Sequence, residues 1–435
     1  MTDANRSPKD VVFVDGCRTP FLRSGGAFAD LMAYDLARMV LKGLVLRTGL
    51  KPEDIDRVIL GCVVQDVTTS NIAREASLAA GFPFQVPAFT TTMGCISSNQ
   101  AISAAVDLIA TGRCDLVVAG GTETLSDIPI RLKKKLRRRL MESQKYKSAG
   151  DYVRFLSGLK PSDLLPETPS IAEFSTGETM GESADKLAAA YRIPRQAQDE
   201  YAMRSHHLAA SATERGILSE EIVAVTVPPD FKPVNADSGI RPDTSLEKLA
   251  ALPPAFVRPY GTVTAGNSSY LTDGASAVLL ASREAAAEKG FEPRAVLRDY
   301  TFVAQNPGDE LLLGPAYAIP QILERNALGM DDIHVWELHE AFAGQVLAVL
   351  AALESADFAN QKLGRRNPMG RIPQDKLNVH GGSLSLGHPF GATGARLVTT
   401  AVNRLHREDG RFAVVAACAA GGLGHAMLIE RDTKG

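Results

Sequence analysis

Two distant stretches of the chain follow the same order of helix, turn and apolar strand, and two further pairs of features repeat around them. Each stretch follows a helical pattern and precedes or contains an apolar strand. One such match could arise by chance, whereas three in the same order indicate a duplicated fold. Because strands alternate with helices, each copy is predicted to be α/β with a covered sheet. The matched pairs are residues 47–60 with 325–338, Gly94-Cys95 with Gly387-His388, and 115–121 with 412–418.

The duplication predicts the organisation of the whole chain. A length of 435 residues with 45% hydrophobic content is ample for several packed layers. We expect an N-terminal core half over 1–123, completed by about 256–290, and a C-terminal core half over 291–435. The segment 124–255 is far longer than an ordinary connection and is predicted to be an inserted loop subdomain.

Composition limits the classes of function. The net charge of −3 gives no general attraction to nucleic acid. The five cysteines form no regular framework, which is typical of free thiols in a reducing compartment. Residues 1–10 lack the apolar core of a leader, and no apolar run reaches the roughly 18 residues that span a bilayer. These features predict a soluble, cytoplasmic protein.

One segment departs from this balance of charge. Residues 131–147 contain nine basic side chains and one acidic side chain. The run is either a solvated basic helix or a contact surface for anionic lipid, an acidic partner or a phosphorylated ligand. Nucleic acid is a weak third interpretation, because no stacking aromatic residues interleave with the charges. We therefore predict an exposed docking surface, with peripheral membrane contact as one use.

A cysteine begins the helix that lies between the predicted strands at 54–60 and 115–123. Cys95 precedes small and apolar residues at helical spacing, and the run closes at Thr111-Gly112. A lone cysteine is most often a core residue. At a helix start, however, free backbone N–H groups favour a thiolate, so the pKa of this thiol is predicted to fall below its usual value. Cys95 is therefore a candidate nucleophile.

Three C-terminal stretches place polar groups at junctions that packing alone would not require. They carry His339 within 336–343, His388 within 378–394 and Cys418 within 418–426. Glycines in the second and third allow close backbone approach, and Pro389 suits a helix start. Two cysteines and two histidines at such junctions indicate one catalytic site. No spacing typical of metal ligands occurs.

At these residues the chain resembles the thiolase family over essentially its whole length. The motifs are the Cys95 helix start, His-Glu-Ala-Phe at 339–342, Gly-His-Pro at 387–389, the Cys418 glycine turn, and residues 261–269 with 273–275. The resemblance implies the thiolase fold, in which two βαβαβαββ halves pack as a five-layered αβαβα core. Many thiolases carry asparagine in the position of His339. Histidine there is similar to the trifunctional-enzyme β-subunit type.

The resemblance also implies a role for each site residue. Cys95 would be the nucleophile, deprotonated by His388, and Cys418 would protonate the leaving enolate. His339 and His388 would line the hole for the enolate oxygen. The backbone N–H groups of Cys95 and Ala420 would hold the tetrahedral oxyanion.

Substrate contacts and partners follow from the same resemblance. Ser269 would hydrogen-bond the pantetheine arm, and Met180 would contact substrate beside Thr179, which occupies a position where the family often has histidine. Acyl-CoA and CoA would be the ligands, with CoA as co-substrate and no permanently bound cofactor. A homodimer or higher oligomer is expected, together with a possible hydratase/dehydrogenase α-subunit.

Four functions remain open at this point. The resemblance favours a 3-ketoacyl-CoA thiolase of fatty-acid β-oxidation, an acyltransferase that forms an acyl-cysteine intermediate. A biosynthetic acetoacetyl-CoA thiolase is the near alternative. A ketoacyl synthase uses one cysteine and two histidines, so Cys418 argues against it. An inactive acyl-CoA or lipid-binding scaffold would not need four intact polar groups.

Overall fold

The computed structural model describes residues 9–167 and 172–433, so most of the N-terminal stretch 1–10 lies outside the described residues. The strands are β1 (Val11–Arg18), β2 (Leu22–Arg23), β3 (Arg57–Gly61), β4 (Ala88–Thr91), β5 (Leu116–Glu123), β6 (Arg131–Leu132), β7 (Pro166–Glu167), β8 (Val225–Val227), β9 (Lys232–Val234), β10 (Thr272–Ser282), β11 (Ala295–Ala304), β12 (Ile333–Leu338), β13 (Phe412–Ala419) and β14 (Leu423–Arg431).

Helices alternate with these strands. They are α1 (Ala33–Thr48), α2 (Ile72–Ala80), α3 (Ser97–Ala110), α4 (Lys134–Ser143), α5 (Ala149–Ser157), α6 (Pro161–Leu164), α7 (Met180–Ala190), α8 (Arg195–Glu214), α9 (Leu246–Ala250), α10 (Arg283–Lys289), α11 (Gly314–Arg325), α12 (Ala343–Glu354), α13 (Ala356–Leu363), α14 (Ser383–Leu386) and α15 (Thr393–Arg407). Among the described residues, no helix combines the length and apolar character needed to cross a membrane.

The strand order confirms the duplication. The large sheet runs β12-β13-β14-β11-β1-β10-β5-β3-β4, with β2 added to β10. Its two halves meet between β1 and β11 through the pairs Val12–Val296 and Phe13–Ala295. Outward from this junction, β10 and β5 on one side correspond to β14 and β13 on the other. The junction is therefore the centre of two related half-sheets.

Both faces of each half-sheet are covered, as alternation along one strand illustrates. On β3, Val58 and Leu60 join an outer core that includes residues of α1 and α2. Ile59, between them, points the other way into a second core. Successive strand residues face opposite sides of a sheet, so an uninterrupted apolar run fits a strand buried on both faces.

The second core is the middle layer of the molecule. It combines residues of α3 and α15, such as Ile102 and Val398, with strand residues of both half-sheets. A third core holds α11 and α12 against the outer face of the C-terminal half-sheet. The order helix, sheet, helix, sheet, helix confirms the predicted five-layered α/β fold.

The helices of the middle layer approach closely near their starts. A Cβ atom on Gly394 of α15 would overlap the side-chain oxygen of Asn99 on α3. The amide of Ala395 donates a 3.1 Å hydrogen bond to the Ser98 hydroxyl in the same contact. The absence of a side chain at residue 394 thus permits this close contact between the two helices.

One detail differs from the expectation of two similar halves. The C-terminal half has no extended strand equivalent to β4; among the described residues, Leu377 makes a single parallel bridge to Trp336 instead. The chain between β5 and β10, where we predicted an inserted subdomain, contains α4 to α9 and two small two-stranded sheets, β6-β7 and β8-β9. The exact domain limits stay a prediction.

Candidate active site

Parallel strands bring two of the predicted groups to one edge of the sheet. β12 and β13 are parallel with Leu338 opposite Ala416, and the His339 amide donates a 2.9 Å hydrogen bond to the Ala416 carbonyl. Cys418 follows at the end of the neighbouring strand. The carboxyl ends of parallel strands are the usual position of α/β active sites.

The Cys95 turn packs against the turn that follows Cys418. Gly94 has φ +54°, and a Cβ there would lie 3.3 Å from the Ala420 nitrogen. Glycine is thus needed both for the backbone angle and for the close approach. The Ser97 hydroxyl accepts a 2.8 Å hydrogen bond from the Met93 amide, which fixes the turn. Cys95 lies one residue ahead of Ile96, the N-cap of α3.

The predicted lowering of the Cys95 pKa is wrong. Burial raises the pKa of this thiol to about 12, although the amide groups of Ala420 and Cys95 itself act in the opposite direction. Burial similarly raises the pKa of Cys418, and the neighbouring Cys95 adds to that increase. Desolvation of the charged sulfur outweighs these amides, even though Cys95 is only half-buried whereas Cys418 is fully buried. Both thiols are therefore protonated at neutral pH.

His388 is held in a defined orientation. Its backbone amide donates a 3.0 Å hydrogen bond to the Thr272 hydroxyl, and its Nδ1 lies 2.6 Å from the Thr393 hydroxyl. That hydroxyl also lies 3.0 Å from the Pro389 carbonyl, to which it can only donate. Both hydrogen bonds form when Nδ1 carries the proton. The Nε2 atom then presents a lone pair, as a base for Cys95 requires.

His339 faces His388, with ring centroids 4.0 Å apart. Burial lowers the pKa of His339 to about 3 and takes the pKa of His388 well below its usual value. Both imidazoles are therefore neutral at physiological pH. Their Nε2 atoms are buried and have no partner among the described residues. The His339 Nδ1 atom lies 2.9 Å from the Ser383 hydroxyl.

Cys95, His339 and His388 also form a group with candidate metal-ligand geometry. One ligand atom from each lies within 4.8 Å of the others. The sequence spacing did not reveal this group, because its members come from three separate loops. A soft cation could use the set only if both imidazoles offered a lone pair.

Glu340, next to His339, is a fully buried anchor. Its carboxylate accepts hydrogen bonds from the Tyr201 hydroxyl at 3.0 Å, the Ser205 hydroxyl at 2.8 Å and the side-chain amide of Asn378 at 2.7 Å. The Leu384 amide donates a fourth at 3.3 Å. A buried carboxylate satisfied in this way holds loops together. It joins the end of β12 to α8 and to the loop ahead of His388.

The predicted substrate contacts have different surroundings. The Ser269 amide donates a 2.9 Å hydrogen bond to the Ala341 carbonyl, and Leu271 pairs with His388. The segment with Ser269 thus runs between the two histidine loops. Met180 begins α7 and packs against the C-terminal core. Its substrate contact stays a prediction.

Thr179 has a structural function at the position where thiolases often have histidine. It is the N-cap of α7, and its hydroxyl accepts a 3.2 Å hydrogen bond from the Glu182 amide. The Glu182 carboxylate in turn accepts a 2.7 Å bond from the Thr179 amide. This capping box satisfies backbone donors at the helix start.

The basic run forms part of an exposed helical hairpin. α4 and α5 are exposed over most of their surfaces, and Leu136 alone of α4 is buried. Lys135 pairs with Asp163, and Arg137 with Glu167. The remaining exposed basic side chains of the run make no ion pair within the described part of the chain; they are Lys134, Arg138, Lys145 and Lys147.

Sequence reasoning missed the residues that orient the reactive groups. Ser383 and Thr393 lie near the predicted motifs, but hydroxyl residues in a glycine-rich stretch gave no distinguishing signal. Arg396 is fully buried on α15, and its guanidinium donates a 3.3 Å hydrogen bond to Ser383. The sequence did offer one signal for Arg396, because it is a charged residue between apolar neighbours on a helix that was predicted to be buried. Glu123, a buried carboxylate at the end of β5, was likewise missed.

Comparison with known proteins agrees with this geometry. Models of the thiolase N-terminal and C-terminal domains match residues 11–284 and 291–431. The chain is 54% identical to the mitochondrial trifunctional enzyme subunit beta of Bos taurus, over 100% of this chain and 90% of that protein. It is 43% identical to the 3-ketoacyl-CoA thiolase of Pectobacterium atrosepticum, over 97% and 96% of the two chains.

A solved structure gives the same result. The crystal structure of the Bacillus anthracis acetyl-CoA acetyltransferase superposes with a TM-score of 0.83 and 35% identity, covering 98% of this chain and all of that one. Family models that together cover nearly the whole chain, long relatives of high identity and a shared fold lead to one conclusion. The chain belongs to the thiolase family.

Proposed function

We propose that the chain is a 3-ketoacyl-CoA thiolase, which uses CoA to cleave 3-ketoacyl-CoA into acetyl-CoA and a shortened acyl-CoA. The observation that carries the proposal is the convergence of two thiols and two neutral imidazoles: ligand atoms of Cys95, His339 and His388 lie within 4.8 Å of one another, and Cys95 lies near enough to Cys418 to raise the pKa of that buried thiol. The relative in Pectobacterium is named for this activity. Cleavage between two carbons needs a nucleophile for the keto carbon and a proton for the departing enolate, and the two thiols supply them.

The first half-reaction forms the acyl-enzyme. As the sulfur of Cys95 bonds to the keto carbon, its proton passes to Nε2 of His388, and the carbonyl oxygen gains negative charge. The amides of Cys95 and Ala420 hold that charge. Because burial raises the pKa of Cys95 to about 12, the proton leaves together with bond formation rather than beforehand. The carbon–carbon bond then breaks, and its electron pair forms an enolate.

Cys418 completes that step and begins the next. Its thiol gives a proton to the enolate carbon, which releases acetyl-CoA and leaves a thiolate. The thiolate then removes the proton from an incoming CoA thiol. CoA sulfur attacks the acyl group on Cys95, the bond to Cys95 breaks, and the cysteine recovers its proton from His388. His339 donates to the enolate oxygen while it carries charge.

Two observations favour degradation over synthesis. His339 replaces the asparagine of many thiolases, and identity is higher to the trifunctional enzyme subunit than to the solved acetyltransferase. A biosynthetic acetoacetyl-CoA thiolase is the alternative within the same chemistry. A ketoacyl synthase would leave the buried Cys418 thiol without use. An inactive scaffold would have no reason to retain a paired nucleophile and base.

The test is CoA-dependent cleavage of 3-ketoacyl-CoA esters of increasing chain length, followed by loss of enolate absorbance. We expect turnover with ping-pong kinetics. Mass spectrometry after incubation without CoA should find the acyl group on Cys95. Activity retained in Cys95→Ala, or an acyl group on another residue, would contradict the proposal.

We also propose an assembly of more than one chain. Strand β4 ends the sheet order, and its four residues are all partly exposed, which leaves a ladder edge for a second copy. The mammalian relative is named as one subunit of a trifunctional enzyme, so a hydratase/dehydrogenase subunit is a plausible partner class. A cytoplasmic location stays a prediction from the sequence.

The helical hairpin of α4 and α5 supports a further contact. Exposed apolar side chains accompany its unpaired basic residues: Met141, Val153 and Leu156 are each about two-thirds exposed. A surface that combines basic charge with exposed apolar groups suits the interface of an anionic membrane. We propose that residues 131–147 make peripheral contact with such a surface and take no part in catalysis.

A further inference from the structure

We infer that Arg396 and Ser383 are positioning residues that fix His339 in the tautomer with its proton on Nε2. The inference concerns how the proposed enolate site is kept in its donor state, and its catalytic consequence rests on the proposed function. Neither residue is among the catalytic groups described above. Both act through His339.

The three side chains form one buried chain of hydrogen bonds. Arg396 Nη2 donates to Ser383 Oγ at 3.3 Å, and Ser383 Oγ lies 2.9 Å from His339 Nδ1. All three residues are fully buried. On its other side the Arg396 guanidinium lies 3.6 Å from Glu337, which Arg404 also contacts at 2.9 Å. Oppositely charged groups thus hold the guanidinium in place.

Donor and acceptor capacity orders the protons along this chain. A guanidinium only donates, so the Ser383 oxygen must accept from Arg396. The hydroxyl has one hydrogen, and His339 Nδ1 is its only other hydrogen-bond partner among the described residues. If Nδ1 were protonated, the Ser383 oxygen would have to accept from it as well, and the hydroxyl hydrogen of Ser383 would be buried without an acceptor. A buried donor without an acceptor costs free energy. Nδ1 therefore accepts, and a neutral His339 carries its proton on Nε2.

The neighbouring ring has the opposite arrangement. His388 donates from Nδ1 to the Thr393 hydroxyl, which passes its own hydrogen to Pro389, so Nε2 is a lone pair. Two imidazoles 4.0 Å apart thus present one donor and one acceptor. A base for Cys95 and a donor for the enolate oxygen are both required, and each tautomer suits one role. Because the proton of His339 is on Nε2, that atom offers no lone pair, and His339 is a poor ligand for a soft metal ion.

The first experiment reads the tautomer directly, without substrate. Protein labelled with ¹⁵N in its imidazole rings should show His339 protonated on Nε2 in two-bond proton–nitrogen spectra, with His339→Asn identifying its signals among the eight histidines. In Ser383→Ala and Arg396→Met we expect His339 to be no longer protonated uniformly on Nε2, whereas Ser383→Thr should keep the proton there. A wild-type His339 protonated on Nδ1 would overturn the inference.

The second experiment measures the consequence. Ser383→Ala should slow carbon–carbon cleavage about 10- to 100-fold, the usual effect of removing an orienting partner, while transfer of an acyl group between Cys95 and CoA changes less than about twofold. Ser383→Thr should recover cleavage. Equal loss in both half-reactions, or no recovery, would overturn the positioning role. If Arg396→Met fails to fold, Arg396→Lys, which keeps a donor, should retain the Nε2 tautomer, and loss of the Nε2 tautomer in Arg396→Lys would overturn the inference.

The two experiments separate this inference from the proposed function. If wild-type protein cleaves no 3-ketoacyl-CoA but the spectra show the Nε2 tautomer lost in Ser383→Ala, the proposed function fails and the tautomer assignment stands. If wild-type protein cleaves substrate and the variants leave the tautomer unchanged, the inference fails alone.

Discussion

The Glu123 carboxylate accepts a 3.0 Å hydrogen bond from the Gly391 amide, so the last residue of β5 holds the turn that leads from His388 into α15. The same carboxylate accepts hydrogen bonds from the amides of Val63 and Val64. Burial nevertheless raises the pKa of Glu123 to about 7. A carboxyl of the N-terminal half thus titrates close to neutral pH while supporting a loop of the C-terminal half.

Glu123 should give the folded protein a pH-dependent stability. Its pKa is higher in the folded chain, about 7, than the ordinary value of 4.5, so the folded state holds this proton over a range where the unfolded chain has lost it. The stabilisation is complete below pH 4.5 and is lost as the pH rises through 7. The loss is on the order of 3 kcal/mol. Urea unfolding of wild type and Glu123→Gln at pH 5 and pH 8 measures it.

The Glu123→Gln protein should be less stable than wild type at low pH. Its stability should not fall as the pH rises through 7, because an amide does not titrate. Glu288→Gln is the matched control, since Glu288 is exposed on α10 and should leave the pH dependence as in wild type. A wild type whose stability relative to Glu123→Gln is the same at both pH values would refute the shifted titration.

Alkylation of Cys95 should remain slow at neutral pH and keep rising beyond pH 9. Burial raises the pKa of this thiol to about 12, whereas an ordinary thiol titrates near 8.5 and its rate then levels off. Iodoacetamide labelling of the Cys95 peptide, followed by mass spectrometry with glutathione in the same solution, gives both profiles. A Cys95 rate that levels off below pH 8 would show a stabilised thiolate, contrary to the burial argument.

Cys418→Ala should separate the two half-reactions. Acylation of Cys95 by an acyl-CoA releases a CoA thiolate, which is a far weaker base than an enolate carbon and needs the Cys418 proton less, so this acylation should fall much less than carbon–carbon cleavage, which should drop about 10²- to 10⁴-fold. Stopped-flow measurement of each half-reaction tests this. Cys114→Ala removes another buried thiol, from the middle core, and should leave the ratio of the two rates unchanged. An equal loss of both in Cys418→Ala would make Cys418 structural.

Reversing the unpaired charges of the basic hairpin should weaken membrane contact and leave catalysis intact. The variant replaces Lys134, Arg138, Lys145 and Lys147 with glutamate. Each basic residue near an anionic surface contributes about 1 kcal/mol, and salt screens the attraction. Sedimentation with anionic vesicles should therefore fall most at low ionic strength, while cleavage of a short soluble substrate stays at the wild-type rate.

A second variant, in which four other basic residues are replaced with glutamate, controls for net charge. It replaces exposed basic residues elsewhere, namely Lys42, Lys51, Arg113 and Arg366, and changes the total charge equally. Vesicle binding should survive in this control. If both variants lose binding alike, net charge and not the hairpin is responsible. If short-chain turnover collapses in the hairpin variant while the fold persists, the segment belongs to the CoA site.

The reactive groups could be predicted from the sequence because each stands at the end of a strand or start of a helix beside glycine or proline. Cys95, His388 and Cys418 are of this kind, and the duplicated pattern gave the layers around them. The C-terminal half lacks a full strand at Leu377, since one bridge to Trp336 replaces it. Apolar patterning alone does not show over how many residues a strand pairs with its neighbour.

The environment of those groups could not be read from local sequence. The helix start at Cys95 suggested a lowered pKa, but desolvation of the thiol in the folded protein raises it instead. Ser383, Arg396 and Glu123 reach the site by hydrogen bonds between distant segments. Such bonds depend on the packed arrangement of loops, which no local periodicity encodes.

The contact between Gly394 and Asn99 has a consequence for chemistry that occurs one turn away. Cys95 leads into the helix that carries Asn99, and His388 leads into the helix that carries Gly394. A methyl group at residue 394 would act as a wedge against the Asn99 oxygen and drive the two helix starts apart. The distance between the proposed nucleophile Cys95 and the proposed base His388 therefore depends on residue 394, which is buried between the two helices and carries only a hydrogen atom.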